Sequence, residues 1–138
     1  MSVFKEAEIE YLQSQRIGRL ATIGRNGEPH VVPLRFLYNP QLDVIDLLGG
    51  GMGTSKKYRD AGATGLAAFV VDDRRPDGKP RGIEIRGRVE VFAEGGDHIM
   101  PGVDPAFIRL TPTYIASWGV DTDPFSPAGR RVEYRNEK

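Results

Sequence analysis

Residues 49–57 carry the residue types best suited to binding an anion. Four of the first five are glycine, and Thr54, Ser55, Lys56 and Lys57 follow directly. Glycines let backbone N–H groups approach an anion closely, while hydroxyl and ammonium groups add donors and positive charge. The segment predicts a phosphate-binding site leading into a short helix, with Thr54 or Ser55 as the N-cap. From the local sequence alone, a flexible hairpin with solvated charges is the alternative.

The same segment departs from the two common nucleotide-binding loops. A Walker A loop needs Lys directly after Gly, and Ser or Thr directly after that Lys, whereas Gly53 is followed by Thr54 and Ser55. Thr54 also stands where a dinucleotide-binding G-x-G-x-x-G loop has its last glycine. Neither of these two nucleotide-binding modes is therefore predicted.

Other side chains offer little conventional catalysis. Cysteine is absent, which excludes disulfides, thiol catalysis and thiolate metal sites. Histidine occurs only as His30 and His98, with no metal-ligand spacing, so no metal is predicted and His30 is interpreted as a surface or packing residue. Trp118 has three open interpretations, namely core packing, a dimer interface and a lid over a flat ring. No catalytic residue is identified.

Charge and hydropathy narrow the partners and the compartment. Nineteen Lys and Arg balance nineteen Asp and Glu, so no overall positive field favours nucleic acid. No stretch approaches the roughly 20 apolar residues of a membrane span. The N-terminal residues are rich in charge and lack the apolar region of a secretory signal. The expectation is a cytoplasmic protein that binds neither nucleic acid nor membrane.

The elements that must position these residues are mostly strands. Hydrophobic alternation and turn signals predict six extended segments, at residues 17–23, 30–38, 44–48, 64–71, 83–92 and 107–118. Short helices are predicted after Ser2, as the N-cap, and after residue 54 or 55, with loops at 72–80, 94–104 and 121–127. Pro33 should lie at an edge, at a bulge or where a ligand replaces a neighbouring strand. The result is one domain over residues 1–138, a mainly β (α+β) antiparallel barrel.

Several short motifs occur in a characteristic order. They are residues 19–23, residues 27–33 with Phe36, residues 56–60, residues 71–73 and residues 85–89. Together they resemble the pyridoxamine-phosphate-oxidase-like split-barrel family, and within it the enzymes that use the deazaflavin F420. The resemblance extends over about residues 4–94, and residues 109–112 and 117–121 are similar to the closing strand of one F420-associated subgroup. Residues 63–65 depart from it, because family members often have an Asn-Pro pair there, and residues 94–104 are shorter than usual.

The resemblance implies a six-stranded antiparallel split β-barrel, FMN-binding-like, with short flanking helices. It also implies a homodimer with a cofactor, F420 or alternatively FMN, at each interface site. The implied cofactor-binding residues fall into five groups: Val32, Pro33 and Leu34 beside the ring; Gly50 and Gly51 near the ring or linker; Thr54, Ser55 and Lys57 at the phosphate; Lys56 and Arg59 at the acidic tail of F420; and Trp118 from the partner chain.

The implied activity is that of an F420-dependent oxidoreductase. Reduced deazaflavin would give a hydride to an electron-poor double bond of a small organic substrate, polycyclic or quinone-like by analogy with the subgroup. Three alternatives stay open from the residues: an FMN-binding oxidoreductase of the pyridoxamine-phosphate-oxidase type, a non-catalytic carrier of flavin or deazaflavin, and a barrel used only for protein contacts.

Overall fold

The computed structural model describes residues 1–134, and one antiparallel sheet of seven strands dominates it. The strands are β1 (Ile17–Ile23), β2 (Pro29–Asn39), β3 (Val44–Leu48), β4 (Leu66–Arg74), β5 (Pro80–Phe92), β6 (Phe107–Trp118) and β7 (Ala128–Arg131). Their order is β3-β2-β1-β4-β5-β6-β7, and β3 also pairs with β6, which closes the first six strands into a barrel. The predicted six-stranded antiparallel split barrel is confirmed, with one additional strand.

Three helices and one short 3₁₀ turn flank the barrel. They are α1 (Glu6–Ser14), the 3₁₀ turn Met52–Thr54, α2 (Lys56–Thr64) and α3 (Gly96–Ile99). The predicted N-cap of the first helix is wrong: α1 starts after Lys5, whose N–H donates to the Glu8 carboxylate at 2.8 Å. Ser2 instead donates to Asp43 at 2.6 Å. No helix in the described part of the chain is long and apolar enough to cross a membrane.

The core lies inside the barrel and follows largely from alternation along the strands, except on β3, where all five residues are buried. On β5, Ile83, Ile85 and Val89 are buried, while the charged residues between them face outward. This is the period of two expected for a half-buried antiparallel strand. The rings of Phe36 and Phe69 meet edge to face across the core, with centroids 5.2 Å apart. Apolar residues from β1 to β6 therefore close the barrel around one packed centre.

Three segments differ from the sequence-based expectation. Strands β4 and β5 extend into residues 72–80, leaving a tight turn in place of the predicted loop. The one-turn helix α3 occupies part of the predicted loop at residues 94–104. After the proline-rich segment, β7 pairs with β6, although its polar sequence Ala-Gly-Arg-Arg has no hydrophobic alternation. A fourth difference concerns the predicted strand at residues 64–71, whose start is wrong: α2 continues to Thr64 and ends at Gly65, which adopts the left-handed conformation with φ 69°, and β4 begins at Leu66.

Candidate functional site

Strand β2 has a partner on both edges over only part of its length. β1 pairs with residues 29–35 of β2, whereas β3 pairs only with residues 35–39. One edge of residues 29–34 therefore has no strand partner in the described structure. Pro33, which has no N–H to donate, lies in this open segment, as its chemistry requires. The side chain of Leu34 is buried and that of Val32 half-buried, so these residues offer mainly backbone groups at the open edge.

The glycine-rich segment begins where this open edge begins. Leu48, the last residue of β3, pairs with Arg35, and the chain then leaves the sheet through Gly49, Gly50 and Gly51. A methyl group added at any of the three glycines would meet no atom within 4 Å. Gly51 has φ 65°, a backbone conformation that favours glycine. At Gly50, neither the packing of the chain nor the backbone conformation requires a glycine. Open space beside small residues fits a bound group passing close to the backbone.

Thr54 and Ser55 shape the turn that leads into α2. Ser55 is the N-cap: its Oγ accepts from the N–H of Tyr58 at 3.3 Å and donates to the carbonyl of Met52 at 2.6 Å. Thr54 is exposed, and its hydroxyl donates to the carbonyl of Gly51 at 3.2 Å. The predicted helix start with a hydroxyl cap is thus confirmed, and each hydroxyl proton already has an acceptor within the loop.

Lys57 is a cation without a partner in residues 1–134. It lies one helical turn before the fully buried Ala61, so its side chain shares the face of α2 that packs on the barrel. Burial lowers the pKa of Lys57 from its ordinary value. No carboxylate lies within salt-bridge distance of its ammonium group in this part of the chain. A half-buried ammonium group of this kind is a ready partner for a phosphate.

Lys56 and Arg59 lie on a different face of α2. Lys56 forms an ion pair with Asp60 at 3.1 Å, and the same carboxylate accepts a hydrogen bond from the buried Thr22 at 3.3 Å. The guanidinium of Arg59 donates to the carbonyl of Thr54 at 2.9 Å. Both side chains line a surface cavity, together with Arg25 from the turn between β1 and β2. The cavity thus gathers three cations around one carboxylate.

Trp118 lies on the outer surface of the barrel and not in the core. It pairs with Gly82 at the end of β6, and its indole covers Gly82 so closely that a methyl group there would overlap the ring. Its neighbour Ser117 takes the inward position. In one direction round the barrel, β1, β4 and β5 separate Trp118 from β2. In the other direction only β3 lies between β6 and β2, but β3 pairs with residues 108–110, far from Trp118 at the end of β6. Trp118 is therefore not brought together with the other predicted site residues within one chain.

His30 is a polar residue of this site, although the sequence analysis interpreted it as a surface or packing residue. It lies on β2 opposite Thr22, on the inward side of the strand and within the open segment. Its Nδ1 atom is buried and has no hydrogen-bond partner in the described structure. The sequence pattern that could have identified it is the spacing of two residues, which places His30 on the same face of β2 as Val32 and Leu34. Within residues 1–134 no three acidic or histidine side chains come together in a metal-binding group.

Comparisons with known proteins give one sequence relative and many similar folds. A 5a,11a-dehydrotetracycline/5a,11a-dehydrooxytetracycline reductase of Streptomyces rimosus is 38% identical over 123 residues, covering 87% of this chain and 86% of the reductase. No family model matches the chain.

Among solved structures, the fold is similar to a conserved hypothetical protein of Mycobacterium tuberculosis, with TM-score 0.67, 21% identity, and coverage of 87% of this chain and 88% of that chain. It is also similar to an FAD-binding protein of Mesorhizobium loti, with TM-score 0.62, 18% identity, and coverage of 83% and 92%. At these identities the likeness concerns the fold, which is the split barrel found in flavin-binding proteins.

Proposed function

Because this chain belongs to the family of the Streptomyces rimosus reductase and is an oxidoreductase, we propose that it transfers a hydride from reduced F420 to a carbon–carbon double bond of a fused-ring substrate. The observation that carries the proposal is the open edge of β2 beside Gly50 and the unpaired Lys57. We propose that these groups together form one strip, here called the cofactor strip, with backbone donors and acceptors, a space without side chains, and a cation at its end.

The residues of this strip fit a phosphorylated three-ring cofactor. When bound, reduced F420 supplies a hydride from its central ring. The backbone of residues 32–34 holds the polar edge of the ring system, and Gly50 and Gly51 leave room for the ring or its linker. Lys57 neutralises the phosphate, next to the N-terminal end of α2 that Ser55 caps. His30 adds a buried nitrogen that still lacks a partner.

The cluster of Arg25, Lys56 and Arg59 favours F420 over FMN. FMN ends at its phosphate, whereas F420 continues into an acidic glutamate tail that needs cations beyond the phosphate site. Three cations share the cavity at the outer side of α2 with a single carboxylate, Asp60. An excess of positive charge in this place is explained by an acidic tail and has no role for FMN.

The substrate class follows from the relative's name. Reduction of a 5a,11a double bond requires a hydride on one carbon and a proton on the other, which together supply two electrons and two protons. For the present chain we propose a fused-ring compound with a similarly electron-poor double bond. The protein chiefly fixes the distance and the face of attack.

A second copy of the chain completes the proposed site. Ile23, Val31 and Leu66 expose 40%, 64% and 57% of their surface. They alternate with inward residues on adjacent strands, and Ala21 pairs with both Val31 and Ala68 on the same outer face. A contiguous apolar surface of this kind marks an interface. In the proposed dimer the partner's Trp118 reaches the cofactor, as the family resemblance implies. Size-exclusion chromatography with light scattering should give the mass of two chains.

Turnover separates the proposal from its alternatives. The purified protein is mixed with reduced F420 and 5a,11a-dehydrotetracycline, and the return of oxidised F420 absorbance is followed. The proposed reductase regenerates oxidised F420 over many cycles in proportion to the substrate consumed. A carrier would bind one cofactor per chain without consuming the hydride. Turnover with reduced FMN and not with reduced F420 would show the pyridoxamine-phosphate-oxidase-like alternative to be correct.

A further inference from the structure

A shallow depression lies at the end of the barrel where β4 turns into β5. It is lined by Arg19 of β1, Asp72 and Arg74 of β4, Lys79 of the turn, Pro80 of β5, and Phe125 from the segment between β6 and β7. The exposed apolar residues Ile23, Val31 and Leu66 lie at the opposite end of the same strands.

Phe125 is an exposed aromatic side chain held in a fixed place. Its side chain exposes 72% of its surface. Asp123 fixes the backbone here: its carboxylate accepts from the N–H of Phe125 at 2.8 Å, and its carbonyl accepts from the N–H of Ser126 at 3.3 Å. Pro124 and Pro127 restrict the chain on both sides. Holding a large apolar ring in water costs free energy, and a flat ligand stacked on it would recover that cost.

Two cations around the depression, Arg74 and Lys79, form no ion pair within residues 1–134, and the Asp123 carboxylate beside Phe125 offsets one of them. Three carboxylates at this end are already neutralised, since Arg19 pairs with Asp72 at 2.9 Å, Arg81 with Asp73 at 2.7 Å and Arg75 with Asp77 at 2.8 Å. Arg74 donates only to the carbonyl of Gly78, and Lys79 has no side-chain partner within residues 1–134. The rim therefore presents positive charge to whatever stacks on Phe125.

The depression is continuous with the cofactor strip. Arg19 pairs directly with Pro33 across β1 and β2, on the outer face of the sheet. Asp72 contacts the Arg19 side chain from β4, two strands away from β2. Two strand spacings amount to roughly 10 Å, which is about the length of four fused six-membered rings. A substrate whose reacting end lies over the cofactor beside Pro33 can thus extend as far as this depression.

We infer that this depression, walled by Phe125 and rimmed by Arg74 and Lys79, binds the far end of the fused-ring substrate. The ring face stacks on Phe125, and acidic enol or phenol oxygens along its edge face the two cations. The inference rests on the proposed function, because it assigns the substrate of that same site. It makes Phe125 a residue that determines specificity, with no part in the hydride transfer itself.

Equilibrium binding tests the inference without requiring turnover. The protein is saturated with oxidised F420, 5a,11a-dehydrotetracycline is added as the probe, and its fluorescence reports binding to the wild type and variants. Phe125→Ala should weaken probe binding roughly tenfold, as expected for loss of one aromatic contact, while Phe125→Tyr keeps it. Leu42→Ala, which shortens another side chain that is 50% exposed, is the matched control and should leave probe binding unchanged.

The outcomes separate this inference from the proposed function. Unchanged probe binding in Phe125→Ala, or a wild type that holds F420 and does not bind the probe, would overturn the inference while leaving the cofactor site standing. A wild type without affinity for F420 would instead contradict the proposed function. The double variant Arg74→Gln with Lys79→Gln should weaken probe binding more at low salt than at high salt. Equal effects at both salt concentrations would contradict the role of the two cations.

Discussion

Lys57 differs from Lys56 and Arg59, its neighbours on α2, in having no partner within the described chain. Lys56 is paired with Asp60, and Arg59 donates to the carbonyl of Thr54. The local sequence placed both lysines in one anion-binding segment, and the family resemblance assigned Lys57 to the phosphate and Lys56 and Arg59 to the acidic tail. Helical geometry then separates them, since adjacent residues point about 100° apart. Residue type and spacing thus predicted that an anion site begins here, whereas which cation faces inward depended on the packing of Ala61.

Lys57→Ala should weaken binding of F420 by about 1 to 3 kcal/mol, the range for a charge-assisted contact to a phosphate. Because burial lowers the pKa of Lys57, the affinity of the wild type should also fall as pH rises through a value below that of an ordinary lysine. Isothermal titration across pH 7 to about 10 measures both effects. Arg16→Ala, which removes an exposed cation at the end of α1, is the control. Equal affinities for wild type and Lys57→Ala would contradict the assignment.

At the scale of elements, the open segment of β2 depends on where β3 stops. Pro33 predicted an interruption at this point, and the alternation along β5 predicted its long half-buried strand. What the sequence did not reveal is β7, whose four residues lack hydrophobic alternation and become a strand only because β6 offers an edge. The predicted N-cap of α1 was also wrong, because the hydroxyl of Ser2 donates a hydrogen bond to Asp43 and does not cap the helix. Both differences arise from contacts between residues far apart in the chain.

Gly50→Ala tests the strip at this scale. A methyl group there meets no atom within 4 Å and the backbone imposes no left-handed conformation, so the free energy of unfolding should stay unchanged or rise slightly. Affinity for F420 should fall, because the methyl group would occupy space assigned to the ring or linker. Chemical denaturation and F420 titration measure the two quantities. Gly87→Ala is the contrast, since its methyl group would overlap the carbonyl of Thr111 and must lower stability. Full cofactor affinity in Gly50→Ala would place the ring elsewhere.

At the scale of the whole molecule, a buried ion pair joins the two ends of the described chain. The carboxylate of Glu8 on α1 is fully buried and accepts from Arg130 of β7 at 2.7 and 3.1 Å, from Ser117 at 2.8 Å and from the Lys5 N–H at 2.8 Å. Burial alone would raise the pKa of Glu8, but these hydrogen bonds outweigh it and leave the pKa below its usual value. The ion pair holds β7 and α1 against the barrel.

Arg130→Ala should lower the free energy of unfolding by about 3 kcal/mol, because it leaves a buried carboxylate without its counterion. Arg131→Ala, which removes the exposed neighbour, should be nearly neutral. Denaturant unfolding at neutral pH provides the measurement. A loss below about 0.5 kcal/mol for Arg130→Ala would mean that the pair does not stabilise the fold.

The same pair predicts how stability responds to acid. Since the folded pKa of Glu8 is depressed, its contribution is complete above the unfolded value of about 4.3 and is lost as pH falls through the lower folded value. Glu8→Gln should therefore lose stability at neutral pH and show a shallower decline of stability below about pH 4. Parallel declines in wild type and Glu8→Gln would contradict the assignment of the acid response to Glu8.

The most direct test of the central claim, a phosphorylated three-ring cofactor held by the open edge of β2 and Lys57, is titration of Trp118 fluorescence with F420 and with FMN. Trp118 is the only tryptophan and is partly exposed on the outer face, so it reports a nearby ring in the proposed dimer. The account predicts saturable quenching at one cofactor per chain, with F420 bound more tightly than FMN. Tighter binding of FMN would contradict the choice of F420, and a lack of saturable binding by either compound would contradict the site itself.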